Sequence, residues 1–520
     1  MATLYDKVPL LKKMLKDVNK PKQKPNLPNN KQGPAGRNQP PPPEDNADTN
    51  QTKDGVYYTE KYITYLLTSL KNVNFSYTEN KGTVLPGYNQ TSAILGMTPG
   101  NKWEPGPAFV LGSQVRILQR IEQDSLLEKL VNDYTPVTTV HTQTFNMHAS
   151  FEPIPDLKID LTANHTYSQN TSFYLRDTLG TDHQYHFSTN SPDELGNFSM
   201  SYIFVKTIFA GSNGSTGNSS TFTDYLNDTY IISARQGPTN SHSLGLNKTT
   251  GYYDGYSIYS QNVAIPAFFA AYSGQDPHNV TLNPFPTLPL PNWAISYNVY
   301  KPIANLWPWA KKNVTSIVLS NAYTGTYSIG GYNYNLLFNN DNEGLPTVRD
   351  LNGDFLPRDQ IPAVAISDAF SPLIKVAVTF KSNVTSNFEI RNDRQAALSM
   401  SDLTITEVHG SEYILGLGYK IKNVLLPIKI GQKAIKNDVT LRADLSIRSN
   451  ETIVRNSINY SNQITGGQQI ITIKTQAEYN INTRVTFRIF FDKIINNPYI
   501  SSTFPTSTMD GGIAIRFSLS

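Results

Sequence analysis

Residues 439–448, VTLRADLSIR, set the reading of the whole chain. Val439, Leu441, Ala443, Leu445 and Ile447 share one parity, while Thr440, Arg442, Asp444, Ser446 and Arg448 share the other. A period of two places side chains alternately on opposite faces of a strand. The stretch therefore reads as a β-strand with one apolar face and one face carrying charges of both signs.

The same alternation recurs on both sides of this stretch. Ile374, Val376, Val378 and Phe380 alternate with Lys375, Ala377, Thr379 and Lys381. Tyr413, Leu415, Leu417 and Tyr419 alternate with Ile414, Gly416, Gly418 and Lys420. Ile471, Ile473, Ala477 and Tyr479 oppose Thr472, Lys474, Gln476 and Glu478. Val485, Phe487, Ile489 and Phe491 oppose Arg484, Thr486, Arg488 and Asp492. Ile513, Ile515, Phe517 and Leu519 then oppose Ala514, Arg516, Ser518 and Ser520. Upstream, residues 137–151 and 157–164 flank the turn Pro153-Ile154-Pro155-Asp156 and predict a hairpin.

These runs of about 9–13 residues exceed the ~5–6 of ordinary strands and match the ~9–11 that a tilted strand needs to cross a bilayer. The expected fold class is all-β: the C-terminal portion of a very large transmembrane antiparallel β-barrel, with a few short helices and long loops. Val439, Leu441, Leu445, Ile471, Ile473, Val485, Phe487 and Ile489 are expected to face lipid. Arg442, Asp444, Lys474, Glu478, Arg484, Arg488 and Arg516 are expected to line a wet lumen. Ile513, Ile515, Phe517 and Leu519 form a terminal strand of the kind read by the outer-membrane insertion machinery, with Phe517 near the end instead of last. A half-buried soluble sheet alternates too. A secreted β-rich adhesin and a complete smaller barrel, porin-like or TonB-dependent receptor-like, stand as alternatives.

Composition agrees with a two-faced sheet. The chain has 520 residues, 38% of them hydrophobic, with 30 Tyr and 23 Phe but only 16% charged. Net charge is +3, which implies no nucleic-acid partner. Cysteine is absent, which excludes disulfides and Cys-ligated metal. No apolar run approaches the ~20 residues of a membrane helix.

Three regions are expected along the chain. Residues 1–56 combine an amphipathic stretch (Leu4, Val8, Leu11, Leu15, Val18) with a Pro/Asn-rich flexible linker. Lys12, Lys13 and Lys16 interrupt its apolar start, so it does not read as a signal peptide. Residues 57–136 hold a strand, a Gly/Pro loop and a helix over 115–132, as a cap or periplasmic element. Residues 137–520 carry the transmembrane strands, with long loops at 211–261 and 275–295 and one helix over 222–236.

Motifs for other chemistry are weak. His183 and His186 are two potential ligands without a third. Asp350, Asn352 and Asp354 imitate a calcium loop, but Phe355 stands where Gly is needed and Ile361 where Glu is needed. Sequons such as Asn164, Asn247 and Asn383 follow from abundant Asn, Ser and Thr. Asp341 and Glu343 pair in a loop without a pocket signature. No nucleophile triad or phosphate loop is visible, so neither an enzyme nor a cofactor is expected.

Several stretches together resemble one family. They are ASFEPIPDLKIDLTANHTYS (149–168), IPAFFAAYSG (265–274), NPFPTLPLPNWAISYN (283–298), FSPLIKVAVTFKSNVTSNFEIRNDR (370–394), TEVHGSEYILGLGYKIKNV (406–424), QQIITIKTQAEYNINTRVTFRIFFD (468–492) and ISSTFPTSTMDGGIAIRFSLS (500–520). From about residue 62 onward the chain is similar to the C-terminal part of the SprA/Sov family, the outer-membrane translocon of the type IX secretion system. The resemblance implies a giant single-chain barrel in the bacterial outer membrane. Through it, folded cargo with C-terminal secretion domains crosses from periplasm to cell surface, including adhesins of gliding species. It implies as partners the upstream portion of the same translocon, a periplasmic plug protein, a partner barrel that receives cargo laterally, and outer-membrane lipid. Family members are several times longer and start with a signal peptide, so the chain is expected to be the final portion of such a translocon.

Overall fold

The computed structural model describes residues 69–89, 91, 94–97, 106–114, 136–179, 185–189, 192–211, 217–430, 433–481, 485–500 and 503–517. The expected N-terminal amphipathic stretch and linker, the 115–132 helix, His183, Arg484 and Leu519 lie outside these residues.

Sixteen strands form among the described residues: β1 (Leu70–Val84), β2 (Val137–Phe151), β3 (Leu157–Phe173), β4 (Leu175–Leu179), β5 (Tyr185–Thr189), β6 (Asp193–Ser201), β7 (Asn292–Asn298), β8 (Val314–Tyr334), β9 (Asp359–Gln360), β10 (Ala363–Phe380), β11 (Val384–Ser399), β12 (Thr404–Ile430), β13 (Lys433–Asn456), β14 (Ser461–Asn480), β15 (Val485–Pro498) and β16 (Thr506–Phe517). Fourteen belong to one sheet, ordered β1-β2-β3-β6-β8-β10-β11-β12-β13-β14-β15-β16, with β7 between β3 and β8 and β9 on β8. Every pairing is antiparallel, and the predicted hairpin at 153–156 joins β2 to β3. Among the described residues β1 does not pair with β16, so the sheet has two open edges.

The strands are longer than the sequence reading gives. β12 runs 27 residues, β13 runs 24 and β14 runs 20. The apolar alternation marks only part of each strand. Beyond it the ladder continues through residues such as Thr404, Thr406, Asn450 and Asn456, whose pattern carries no apolar period.

Residues 202–291 interrupt one strand of the sheet. β6 pairs with β3 over 165–172 and with β8 over 326–333. β7 pairs with the same two strands over 157–162 and 318–323. β6 and β7 thus fill one slot, broken between Ser201 and Asn292. Side chains satisfy the ladder groups at the break. Ser201 Oγ accepts from Asn164 N at 3.1 Å and Asn292 Oδ1 accepts from Gly325 N at 2.8 Å.

The inserted unit contains the helices that follow α1 (Gly106–Val110), namely α2 (Ser220–Gln236) and α3 (Gln261–Ser273); α4 (Tyr300–Leu306) and α5 (Pro308–Asn313) come after β7. α2 buries Phe222, Tyr225, Thr229 and Ile232, a helical spacing. α3 is buried from Val263 through Ser273. Pro266 cannot donate to the carbonyl of Asn262, and Gln236 Nε2 donates to that oxygen at 3.2 Å instead. Gly274 ends α3 in the left-handed region at φ 67, where an added Cβ would stand 2.9 Å from Lys206 Cβ. The expected helix over 222–236 is α2, within a packed unit, and the region expected as a loop at 275–295 passes into β7 at Asn292, where the Pro-rich run ends.

The core lies between this unit and one face of the sheet. Phe204, Phe222, Tyr225, Phe268 and Tyr272 pack with Phe198, Met200, Tyr327, Ile366, Ala396, Leu398 and Ile405.

Candidate functional site: a two-faced wall

Strand register decides which side chains share a face. From β11 to β16 the cross-strand partners form continuous rows. One row reads Ile390, Tyr413, Ile447, Ile471, Ile495, Ser507. The next reads Phe388, Leu415, Leu445, Ile473, Lys493, Met509. Below it come Ser386, Leu417, Ala443, Thr475, Phe491, Gly511, and then Val384, Tyr419, Leu441, Ala477, Ile489, Ile513. The last full row is Ile421, Val439, Tyr479, Phe487, Ile515, with Val485 opposite Phe517 beyond it.

The intervening rows make the other face. Arg391, Glu412 and Arg448 stand in one row. Asn387, Gly416, Asp444, Lys474, Asp492 and Asp510 form another. Thr385, Gly418, Arg442, Gln476, Phe490 and Gly512 form a third, and Lys420, Thr440, Glu478, Arg488 and Ala514 a fourth. Arg516 follows, opposite Thr486. Gly416 leaves room for its neighbours: a Cβ there would come 2.0 Å from Asn387 Oδ1 and 2.7 Å from Asp444 Oδ1.

Every described residue expected to face lipid lies on the first face, and every described residue expected in the lumen lies on the second. The rows join them into two continuous surfaces, which separate strand patterns could not do. The polar face is less uniform than the sequence reading: Ile414, Phe490 and Ile494 also stand on it.

The apolar face is open. Tyr413, Leu415, Leu417, Tyr419, Ile489, Phe491, Ile513, Ile515 and Phe517 are all exposed, with Phe517 at 69%. At the opposite side of the sheet Val73, Phe75 and Tyr77 of β1 are exposed as well. This is far more contiguous apolar surface than a soluble monomer leaves bare.

The polar face is knitted by ion pairs. Lys375 Nζ lies 2.9 Å from Glu389 Oε2, and Arg391 Nε donates to Glu389 Oε1 at 2.5 Å. Arg391 also reaches Glu412 Oε2 at 3.3 Å, and Ser446 Oγ donates to Glu412 Oε1 at 2.6 Å. Arg448 Nη2 donates to Asp393 Oδ1 at 3.2 Å. Lower down, Arg488 and Glu478 stand 4.0 Å apart.

A third group was not anticipated by the sequence reading. Where the helical unit covers the far part of the apolar face, two buried ion pairs sit in the interface. Arg394, 2% exposed, donates to Asp368 at 3.0 and 3.2 Å, to Thr207 O at 2.8 Å and to Tyr272 O at 3.4 Å. Arg455, 0% exposed, donates to Glu407 Oε2 and Asn462 Oδ1 at 2.8 Å each, and to Gly217 O. Tyr272 donates to Glu407, and His409 Nε2 lies 2.9 Å from the same carboxylate. These charges share the parity of the apolar rows, so sheet periodicity gave no sign of their partners on the inserted unit.

The remaining sequence candidates resolve into local structure. Asp350 accepts from the backbone N–H groups of Asn352 and Asp354, while Asp354 accepts from Ser257 N at 2.6 Å and Oγ at 2.5 Å. The calcium-like triplet is a turn fastened to the loop before α3. Burial raises the Asp354 carboxyl above its usual range, and the Ser257 hydrogen bonds oppose that. Arg349 pairs with Asp254 at 2.6 Å and holds that carboxyl low. Asp341 accepts from backbone N–H groups and meets His242 at 2.8 Å. No group of three or more His, Asp or Glu side chains suited to a metal occurs among the described residues. No helix among them is long and apolar enough to cross a membrane, which says nothing of strands that cross one.

No protein-family model matches the chain, and no curated protein matches it. Among solved structures, the closed form of the ferric-catecholate import receptor Fiu from E. coli K12 is similar over 82% of this chain and 55% of the receptor, with 9% identity and a TM-score of 0.22. The chain thus spans about half the length of that receptor. At that TM-score the likeness carries no argument.

Proposed function

We propose that the chain forms part of the wall of an outer-membrane β-barrel that lets folded proteins cross from periplasm to cell surface, as in the SprA/Sov translocons it resembles in sequence. The observation that carries this reading is the separation of the wall into apolar rows and charged rows over one bilayer thickness. From Val485 to Ile495 the apolar face extends ~34 Å along β15, or ~26 Å after a tilt of ~40°. The lipid-facing band of outer-membrane barrels is ~25 Å tall.

On this reading the polar face keeps the lumen wet. Its charges are of both signs, so no single cargo surface is held strongly. β13, at 24 residues, is ~80 Å long and stands well beyond the bilayer even when tilted. Its extra length carries the helical unit, bolted to the outside of the wall by the Arg394 and Arg455 pairs. The open edges at β1 and β16 require further strands to close the ring, because lipid does not satisfy unpaired backbone groups. The upstream portion of the translocon would supply them, and the plug protein, partner barrel and cargo with C-terminal secretion domains would be its partners.

Removal of the β12–β13 hairpin, residues 404–456, in the bacterium that encodes the chain tests the proposal. Cargo bearing C-terminal secretion domains is expected to accumulate in the periplasm. Undiminished delivery of that cargo to the surface would refute the translocation reading.

A further inference from the structure

One charged side chain stands within the five apolar rows from β11 to β16: Lys493. Its cross-strand partners are Ile473 and Met509. Among the described residues it forms no ion pair. An ammonium in hydrocarbon is costly unless its stem carries it to the interface and a counter-charge meets it there. Lys493 is placed for that, on the row next to the one ending the apolar span at Ile495.

Beside it, on the same face, lies an open groove of about 510 Å³. Ala443, Thr475 and Ala477 line its floor, where small side chains lower the surface, and Tyr419 and Phe491 stand at its sides. Phe491 and Lys493 are two residues apart on β15, ~7 Å along the strand. The groove is mostly apolar, with Arg442, Thr475 and Gln476 also on its lining, and Lys493 stands one row beyond Phe491 at its edge.

We propose that this groove and Lys493 together bind an anionic, phosphate-bearing membrane lipid. One acyl chain lies over Ala443 and Ala477, and the phosphate meets the Lys493 ammonium. The inference rests on the reading that the apolar rows face lipid. It adds a defined lipid class at a defined place to what would otherwise be uniform solvation by hydrocarbon. Its charge complementarity favours a phosphate-bearing lipid over a neutral one, and the groove favours a lipid over free phosphate.

The test compares phosphatidylglycerol with diacylglycerol of the same chains, added to the assembled protein in detergent and read by native mass spectrometry. Wild type is expected to retain phosphatidylglycerol at least ~5-fold better, about 1 kcal/mol. Lys493→Gln is expected to abolish that preference, Lys493→Arg to keep it, and Ala443→Phe to lower retention of both lipids. A preference that survives Lys493→Gln, or retention unchanged by Ala443→Phe, would overturn the site. Photoactivatable phosphatidylglycerol on the wild-type protein adds a readout that needs no variant. Labelling concentrated in 475–493 supports the site, whereas labelling spread evenly over the apolar rows overturns it. Inorganic phosphate that competes away the labelling would show a free-anion site and overturn the lipid assignment. Failure of the barrel to assemble in membranes even with the upstream strands supplied would instead refute the lipid-facing reading, and the site with it.

Discussion

Asp228 is only 8% exposed on α2. Burial pushes its carboxyl up to about 7, the charges of Asp224 and Asp276 add to the rise, and His278 opposes it. The folded unit therefore holds this proton more tightly than the unfolded chain does. Its contribution to stability is full below the ordinary carboxylate range and is lost as pH rises through about 7. Asp228→Asn is expected to flatten that pH dependence and to raise the thermal midpoint of the helical unit at pH 8, measured by circular dichroism across pH. Arg394 poses the opposite problem, since it is buried with its partner. Arg394→Met would leave Asp368 uncompensated and cost ~3–5 kcal/mol, while Arg394→Met combined with Asp368→Leu is expected to recover most of that. Thermal unfolding of the two variants checks both halves. On the open face, Leu441→Arg, near the middle of the apolar span, is expected to cost ~2–4 kcal/mol of membrane stability. Urea unfolding of the protein in vesicles would read the loss, and an unchanged stability would contradict the face assignment.

At the scale of elements, the strands were legible and their lengths were not. Val439 to Arg448 alternates without a break, and hydrophobic burial on one face forces that period. Past Ser449 the same strand continues through residues whose burial is supplied by α2, α3 and their loops, so the period-two signal fades while the ladder persists. The helix near 222–236 was legible from its own spacing. The split strand was not, because β6 and β7 are short and nothing local tells a reader that residues 90 apart in sequence fill one slot. The ion pairs at Arg394 and Arg455 were hidden for a related reason: a charge pair between neighbouring strands on an apolar parity reads as noise until the inserted unit, whose carbonyls and Tyr272 complete it, covers it. Gly274 shows how closely that unit is fitted. Gly274→Ala would add a Cβ in a left-handed conformation against Lys206, and is expected to cost ~1–2 kcal/mol. Faster proteolysis between 261 and 291 in native conditions would report it.

The whole molecule is one wall with two chemistries. Its polar rows carry charges of both signs, some paired across strands, its apolar rows leave aromatic and branched side chains bare, and its far part carries a unit that covers the same apolar face. A soluble sandwich would bury those bare rows against a second sheet, and none of the described strands does so. The absence of cysteine makes the central claim directly measurable, because any single cysteine is a unique probe. Single cysteines placed in turn from Val439 to Arg448 in the membrane-assembled protein would be treated with a charged, water-soluble maleimide. Reaction at 440, 442, 444, 446 and 448, with protection at 439, 441, 443, 445 and 447, is the predicted result. Equal reactivity at both parities, or the reverse order, would contradict a wall whose apolar rows face lipid and whose charged rows face water.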